Sequence, residues 1–555
     1  MYIQGLANFI DDFLGGLILI SYALLIGSLL WGAAILRVWS TAPASRAVTL
    51  RAIQVLRFGA ISLAAMQVTK LIIKGMVLYS VLGELPLDAY MGTVQFQAGL
   101  LRMFLAIGIV ILSGRMLLDP SDRKPWTWTL GLGVPLVVSG AWLVHGVGRF
   151  ELREPLMTTT VLHQFAAAVW AGGVGHLLAL WHLGRSDEES KQFWPVAVTR
   201  FGWLGAGSVA VLLISGLPLA LVYVDSWDGL FGTGYGSLVV TKILLLFVAL
   251  GFAFLNHRAG RIWLAHKETT ALLRRVPHYI EAEAFILVGI LFVAATLSSQ
   301  PPSDDIKDIT VPASEVAQMF VPRLPKITSP SHEQLMAGEA GRVAVVGKVP
   351  SVAATEWSDY NHNVSGLFLT GMGLLAMLSY LRAPVFRWAR YWPLGFVGLG
   401  LFLFFRSDAE TWPLGPIGFW ESTFGNGEVF QHRIATLVAF IIGFMEMRAR
   451  TKLQARKLQY IFPMLCAFGG ILLLTHAHAE FELRSEYLIQ STHTAMGLLA
   501  VIMASGRWLE LRLVPAGGFV INDDSEEGGH IAGFIAIVAM FLIGNMLMFY
   551  REPLF

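Results

Sequence analysis

Fourteen histidines are spread over 555 residues, and half of them sit at or near the edges of long apolar runs. His145 follows "VSGAWLV", His163 opens "LHQFAAAVWAGG", His362 lies in "YNHNVSG" and His432 in "FQHRIATL". His476 and His478 share "THAHAEF", and His493 lies in "QSTHTAMG". Neutral imidazole is the commonest protein metal ligand and suits copper as well as zinc, iron and nickel. The spacing of His476 and His478 adds little by itself, because side chains two residues apart diverge on a helix and converge only once the chain leaves it. Methionine is a softer signal. Met66, Met91, Met103, Met372 and Met496 lie in or beside the same apolar segments. Thioethers select Cu(I), yet methionine is also the ordinary filler of packed helices. The single cysteine, Cys466, excludes a disulfide framework and a thiolate cluster.

Whether the seven histidines form one set depends on the elements that carry them. The chain is 55% hydrophobic and 14% charged, whereas a soluble domain carries roughly a quarter charged residues. Apolar runs of about 20 residues recur along it, each long enough to cross a hydrocarbon core of roughly 30 Å. Their continuity argues for helices rather than the alternating strands of a barrel. The reading is an all-α polytopic membrane bundle of about 14 helices. The first eight spans fall near 13–37, 56–80, 94–116, 127–146, 158–182, 202–224, 237–256 and 279–299. The last six fall near 362–381, 391–406, 429–447, 459–478, 487–507 and 531–549. Between them lies a polar, proline-bearing stretch, 301–358. This divides the chain into an eight-span region, 1–300, a polar loop or linker, 301–358, and a six-span region, 359–555.

Basic residues orient membrane helices. Arg37, Arg46 and Arg51 flank the first connection, Arg123 and Lys124 the third, Arg258 and Lys267 the seventh, and "RARTKLQARK" a later one. They occupy alternate loops throughout, which predicts both termini on the outer side. His145, His163, His362, His432, His476, His478 and His493 then all lie at or within two turns of the outer interface. A lone histidine there usually just hydrogen-bonds a loop carbonyl. Seven on one face fit that explanation poorly, because ionisable groups in a membrane are costly and tend to be functional.

Other intramembrane polar groups have structural readings. Lys74 and Lys242 are expected to snorkel to the interface, while Lys70 and Arg102 lie deeper and need a partner inside the bundle. Glu281 and Glu283 are expected to pair with cytoplasmic arginines, and His176 and His182 to serve packing.

The ordered set "LHQFAAAVWAGGVGHLLAL", "RFGWLGAGSVAVLLISGLPLAL", "LFGTGYGSLVVTKILLLFVALGFAFLNHR" and "VPHYIEAEAFILVGILFVAATLSSQPPS", from His163 to Ser303, resembles the CopD/PcoD family of bacterial copper-resistance membrane proteins. The resemblance implies an inner-membrane protein that takes copper at the periplasmic face and moves it inward, alongside a soluble periplasmic copper carrier. It implies a ligand role for His163 and a helix-packing role for Trp170, Gly172 and Gly173. No fused copper-binding β-sandwich precedes the spans, and the six-span region is similar to C-terminal extensions of some CopD-like proteins.

Three functions compete. The first is a copper permease, not an enzyme, with the seven outer histidines as ligands. The second is a b-type haem electron-transfer protein using His362, His432, His476 or His478, and His493 as axial ligands. The third makes the six-span region a docking platform for a periplasmic metalloprotein. No phosphate-binding Gly-x-x-x-x-Gly-Lys loop and no Cys-x-x-Cys is present, so neither nucleotide nor nucleic acid is expected as a partner. Lipid and copper ions are. An inside-negative potential, worth about 2.3 kcal/mol per charge per 100 mV, favours cation entry.

Overall fold

A computed structural model describes residues 2–185, 187–339, 351–380, 384–451, 458–475, 483–514 and 527–552. The described residues form helices and connecting loops with no strand. The long helices of the first half are α1 (Tyr2–Leu30), α2 (Arg46–Leu82), α3 (Val94–Leu118), α4 (Arg123–Val138), α5 (Arg153–Leu183), α6 (Glu188–Tyr223), α7 (Gly234–His266) and α8 (Val276–Ser299). The second half contributes α9 (Val352–Tyr380), α10 (Leu394–Arg406), α11 (Gly427–Thr451), α12 (Ile461–Leu474), α13 (Leu483–Leu513) and α14 (Glu527–Met548). Thirteen of these segments are long and apolar enough to cross a membrane. The remaining one, α12, belongs to a shorter apolar helix, Leu458–Leu474. The expected extension of that span through His476 and His478 lies outside the described residues. α10 meets the length requirement because a 3₁₀ stretch, Pro384–Tyr391, precedes it.

The described chain divides into two compact units. One comprises 10–225 and 242–304; the other comprises 1–9, 226–241 and 305–555. We refer to them as the N-terminal and C-terminal units.

In the N-terminal unit the contact between α1 and α5 depends on glycine. A Cβ on Gly27 would press on the Gly172 backbone, and one on Gly172 would strike the Ala23 carbonyl. Small residues at such a crossing let two backbones approach closely. Gly173 faces the Phe201 ring in the same way, so Gly172 and Gly173 have the packing role expected of them. α1 ends in a π-helical turn, Trp31–Leu36. Arg200 donates to the Ile35 carbonyl there at 2.5 Å, satisfying one of the acceptors that a helix end leaves open. His176 stacks on Trp31 with ring centres 4.9 Å apart and shares a 2.7 Å hydrogen bond with Ser28, consistent with packing.

In the C-terminal unit, the polar insert is not a free connector over its described part. Val311 packs with Tyr487 and Leu488, and Leu335 with Trp357 and Ala409. The Lys326 amide donates to Asn363 Oδ1 at 2.6 Å, and His332 Nε2 donates to the Ala409 carbonyl at 2.9 Å. The insert therefore runs as a strap against the starts of α9 and α13 and the loop after α10. A second buried polar group lies toward the other end of this unit. Arg507 bridges Glu446 at 3.1 Å and Glu510 at 2.5 Å, and the Tyr380 hydroxyl donates to Glu510. Gly533 makes room for that carboxylate, since a Cβ there would collide with it.

Candidate metal centre

Two of the seven histidines come together in the C-terminal unit, with a third within electrostatic range. His362 lies in the third turn of α9, His432 in the second turn of α11 and His493 in the third turn of α13. The His362 and His493 rings are 5.9 Å apart, nearly perpendicular. Two imidazoles bound to one ion through bonds of about 2 Å would place their ring centres roughly 5 to 6 Å apart. His432 is close enough to interact electrostatically with both.

The hydrogen bonds at these rings decide which nitrogen can serve a metal. His362 Nδ1 is 2.9 Å from the Ser358 carbonyl, and His493 Nδ1 is 2.9 Å from the Ile489 carbonyl. A carbonyl oxygen can only accept, so each Nδ1 carries the proton and the lone pair is on Nε2. His432 Nδ1 is 2.9 Å from Asp408 Oδ1, which sets the same tautomer through a carboxylate. A ligating histidine that donates its other N–H to a carbonyl or carboxylate is the usual outer arrangement of a metal site. Burial would raise the Asp408 carboxyl, but the His432 imidazole, with Ser407 and Arg433, holds it below the usual carboxylate range.

A collar of further groups surrounds the three rings. The Tyr550 ring packs on His362 with centres 4.2 Å apart and lies 6.4 Å from His493. Ser358 Oγ donates to Glu552 Oε1 at 2.5 Å, and the Glu552 amide donates to Asp359 Oδ1 at 2.7 Å. Asn363, fully buried, accepts from the Lys326 amide and from Arg551, and donates to the Tyr550 carbonyl at 2.9 Å. The strap and the C-terminal residues are thereby tied to the same turns of α9 that carry His362.

His476 and His478 lie outside the described residues. The chain reaches them from Thr475, and Leu474 packs against Gly497, one turn from His493. Among the described residues, no three His, Cys, Asp or Glu side chains already stand in metal-coordinating geometry.

The other two candidates are in the N-terminal unit, each with its own partners. His145 Nε2 lies 3.4 Å from the Leu297 carbonyl, beside the Tyr223 ring. His163 Nδ1 donates to Ser215 Oγ at 3.1 Å, and its Nε2 faces Lys242 Nζ at 3.4 Å. Lys242 therefore does not reach for the interface as expected; it directs its ammonium at the imidazole nitrogen a metal would need. Lys70 finds Asp11 at 3.1 Å, and Lys74 divides between Asp11 and Gln95. Glu283 departs from the arginine pairing expected of it. Glu281 takes His182 at 2.9 Å and His278 at 3.3 Å, while Glu283 accepts from Trp170 at 2.8 Å and Asn256 at 2.9 Å. Neutral tryptophan and asparagine donors satisfy Glu283. His182 is thus a carboxylate partner rather than a packing residue. Met372 and Met496 are buried in apolar packing, and Met91 is exposed.

Apolar helices in this number define a polytopic, all-α membrane protein. Within it, residues 195–297 match the family model described as copper resistance protein D, CopD. The match supports a copper-resistance or copper-transport membrane protein. It takes in α7, α8 up to Leu297 and most of α6, and it begins beyond His163. No curated protein and no solved structure matches the chain.

Proposed function

We propose that this protein takes up copper ions at the periplasmic face of a bacterial inner membrane and moves them inward, as a permease rather than an enzyme. Its C-terminal histidines form the first binding site. The observation that carries this reading is the shared tautomer of His362, His432 and His493: each ring is anchored through Nδ1, and in each the lone pair is on Nε2. Three rings on three helices, each held at Nδ1 with the lone pair on Nε2, are what a shared set of imidazole ligands requires. His476 and His478 are the remaining candidate ligands. His163 forms a later station in the N-terminal unit, which carries most of the CopD match. Basic residues on alternate loops put the histidine end outside, and the membrane potential favours inward movement of a cation. A soluble periplasmic copper carrier is the donor.

Copper bound to purified protein after loading and desalting tests this. Wild type retains at least one copper per chain, and His362→Ala, His432→Ala and His493→Ala each lose most of it. Equal copper in wild type and all three variants would refute the site.

A further inference from the structure

A buried cation on α3 lacks a counter-charge. Arg102 is 5% exposed, and its guanidinium lies over the Tyr22 ring of α1, 5.0 Å from the centroid. Among the described residues no carboxylate comes within ion-pair distance of it, and its buried Nε has no hydrogen-bond acceptor. The Tyr22 hydroxyl, 3% exposed as a residue, is also without a partner. Gln67 of α2 is buried on the same face: its amide nitrogen lies where a Cβ on Gly99, one turn before Arg102, would project.

A tyrosine ring offsets only part of this charge. Cation–π attraction is worth about 2 kcal/mol when desolvated, whereas an unpaired buried charge costs several. The two carboxylates of α1 are taken by other groups, Asp11 by Lys70 and Lys74 and Asp12 by Ser299. Around Arg102, the unsatisfied atoms are donors, and what they lack is an acceptor carrying negative charge.

We infer that Arg102, Tyr22 and Gln67 bind a small inorganic anion, with chloride as the simplest case. The guanidinium and the phenol donate to it, and the Gln67 amide completes the shell. Burial of Arg102 within the bundle favours a free anion over a lipid phosphate.

The test compares thermal unfolding of the purified protein in chloride and in gluconate at constant ionic strength. Wild type has the higher Tm in chloride, with saturable dependence. Arg102→Met loses the dependence and is more stable than wild type in gluconate, because the uncompensated charge is gone. Tyr22→Phe, which keeps the ring, raises the half-saturating chloride concentration about tenfold, as for a lost hydrogen bond to a charged group. Equal Tm of wild type in the two salts, or an Arg102→Met protein that still responds to chloride, overturns the inference. If Arg102→Met does not fold, Tyr22→Phe decides, and an unchanged half-saturating concentration is the overturning result. A phospholipid headgroup in the site would appear as a lipid adduct in native mass spectra, absent from Arg102→Met, with no chloride effect in wild type. That too overturns the free anion.

Discussion

Of the three clustered histidines, His432 is the one whose Nδ1 partner is a carboxylate, and this gives it a separable role. A carboxylate behind an imidazole fixes its orientation and raises its basicity as a ligand, and removing such a partner typically costs 10- to 100-fold in metal affinity. Asp408→Asn should therefore weaken copper binding by about that factor, read by competition with a chromophoric chelator, while Asp408→Glu recovers part of it. The pH dependence follows from the same groups. Asp408 is held below the usual carboxylate range. The stability it lends is present above its unfolded value, about 3.9, and is lost only as pH falls through its lower folded value. Copper release on acidification thus belongs to the imidazoles, whose ring nitrogens take up a proton as the metal leaves. Because a weaker site loses the competition with protons sooner, Asp408→Asn should release copper at a higher pH than wild type. An unchanged midpoint would show that the carboxylate does not tune the ligand.

Helices and loops were legible in the sequence to different degrees, and the reason is physical. Runs of apolar residues mark each span directly, because the bilayer imposes length and composition together, so the helices follow the hydropathy pattern closely. The glycine pair of α5 was also legible, as a small-residue patch. Gly172→Leu should drive α1 away from α5 and cost roughly 1–3 kcal/mol, seen as a lower Tm, in line with overpacking elsewhere. Three features left no trace in composition. The strap over 305–339 reads as a polar linker because its anchors are single contacts, such as Asn363 with the Lys326 amide. Lys242 reads as a snorkelling lysine because its partner, His163, is 79 positions away in the chain. Glu283 of α8 reads as an arginine partner because its tryptophan and asparagine donors carry no charge pattern. Asn363→Leu tests the strap. Losing a fully buried, multiply bonded amide should cost about 3 kcal/mol and expose 321–331 to limited proteolysis, while cleavage elsewhere is unchanged. Protection equal to wild type would mean that the strap is held by its apolar contacts alone.

At the scale of the whole molecule, the match to CopD and the clustered histidines fall mostly in different units. The match covers 195–297, most of it in the N-terminal unit, whereas His362, His432 and His493 lie in the C-terminal unit. The N-terminal candidate, His163, differs in kind. Its Nε2 lone pair is directed at an ammonium 3.4 Å away, so a copper ion arriving there must displace Lys242. A positive charge at about 4 Å, even at an effective dielectric constant near 20, opposes a second cation by several kcal/mol. On the proposed path, His163 with Lys242 in place would bind copper weakly and pass it on; without the lysine it would become a trap. Lys242→Met should then gain one copper per chain over wild type, with affinity at least about tenfold higher at that station. The added copper should vanish in the Lys242→Met, His163→Ala double variant and persist when His362 is replaced. Uptake into cells or vesicles should fall even as bound copper rises, because an ion held too tightly does not leave. Elemental analysis and uptake assays on the same preparations separate these outcomes. Unchanged copper content in Lys242→Met would show that His163 is not a copper station, and would leave the ion's path to other groups of the N-terminal unit.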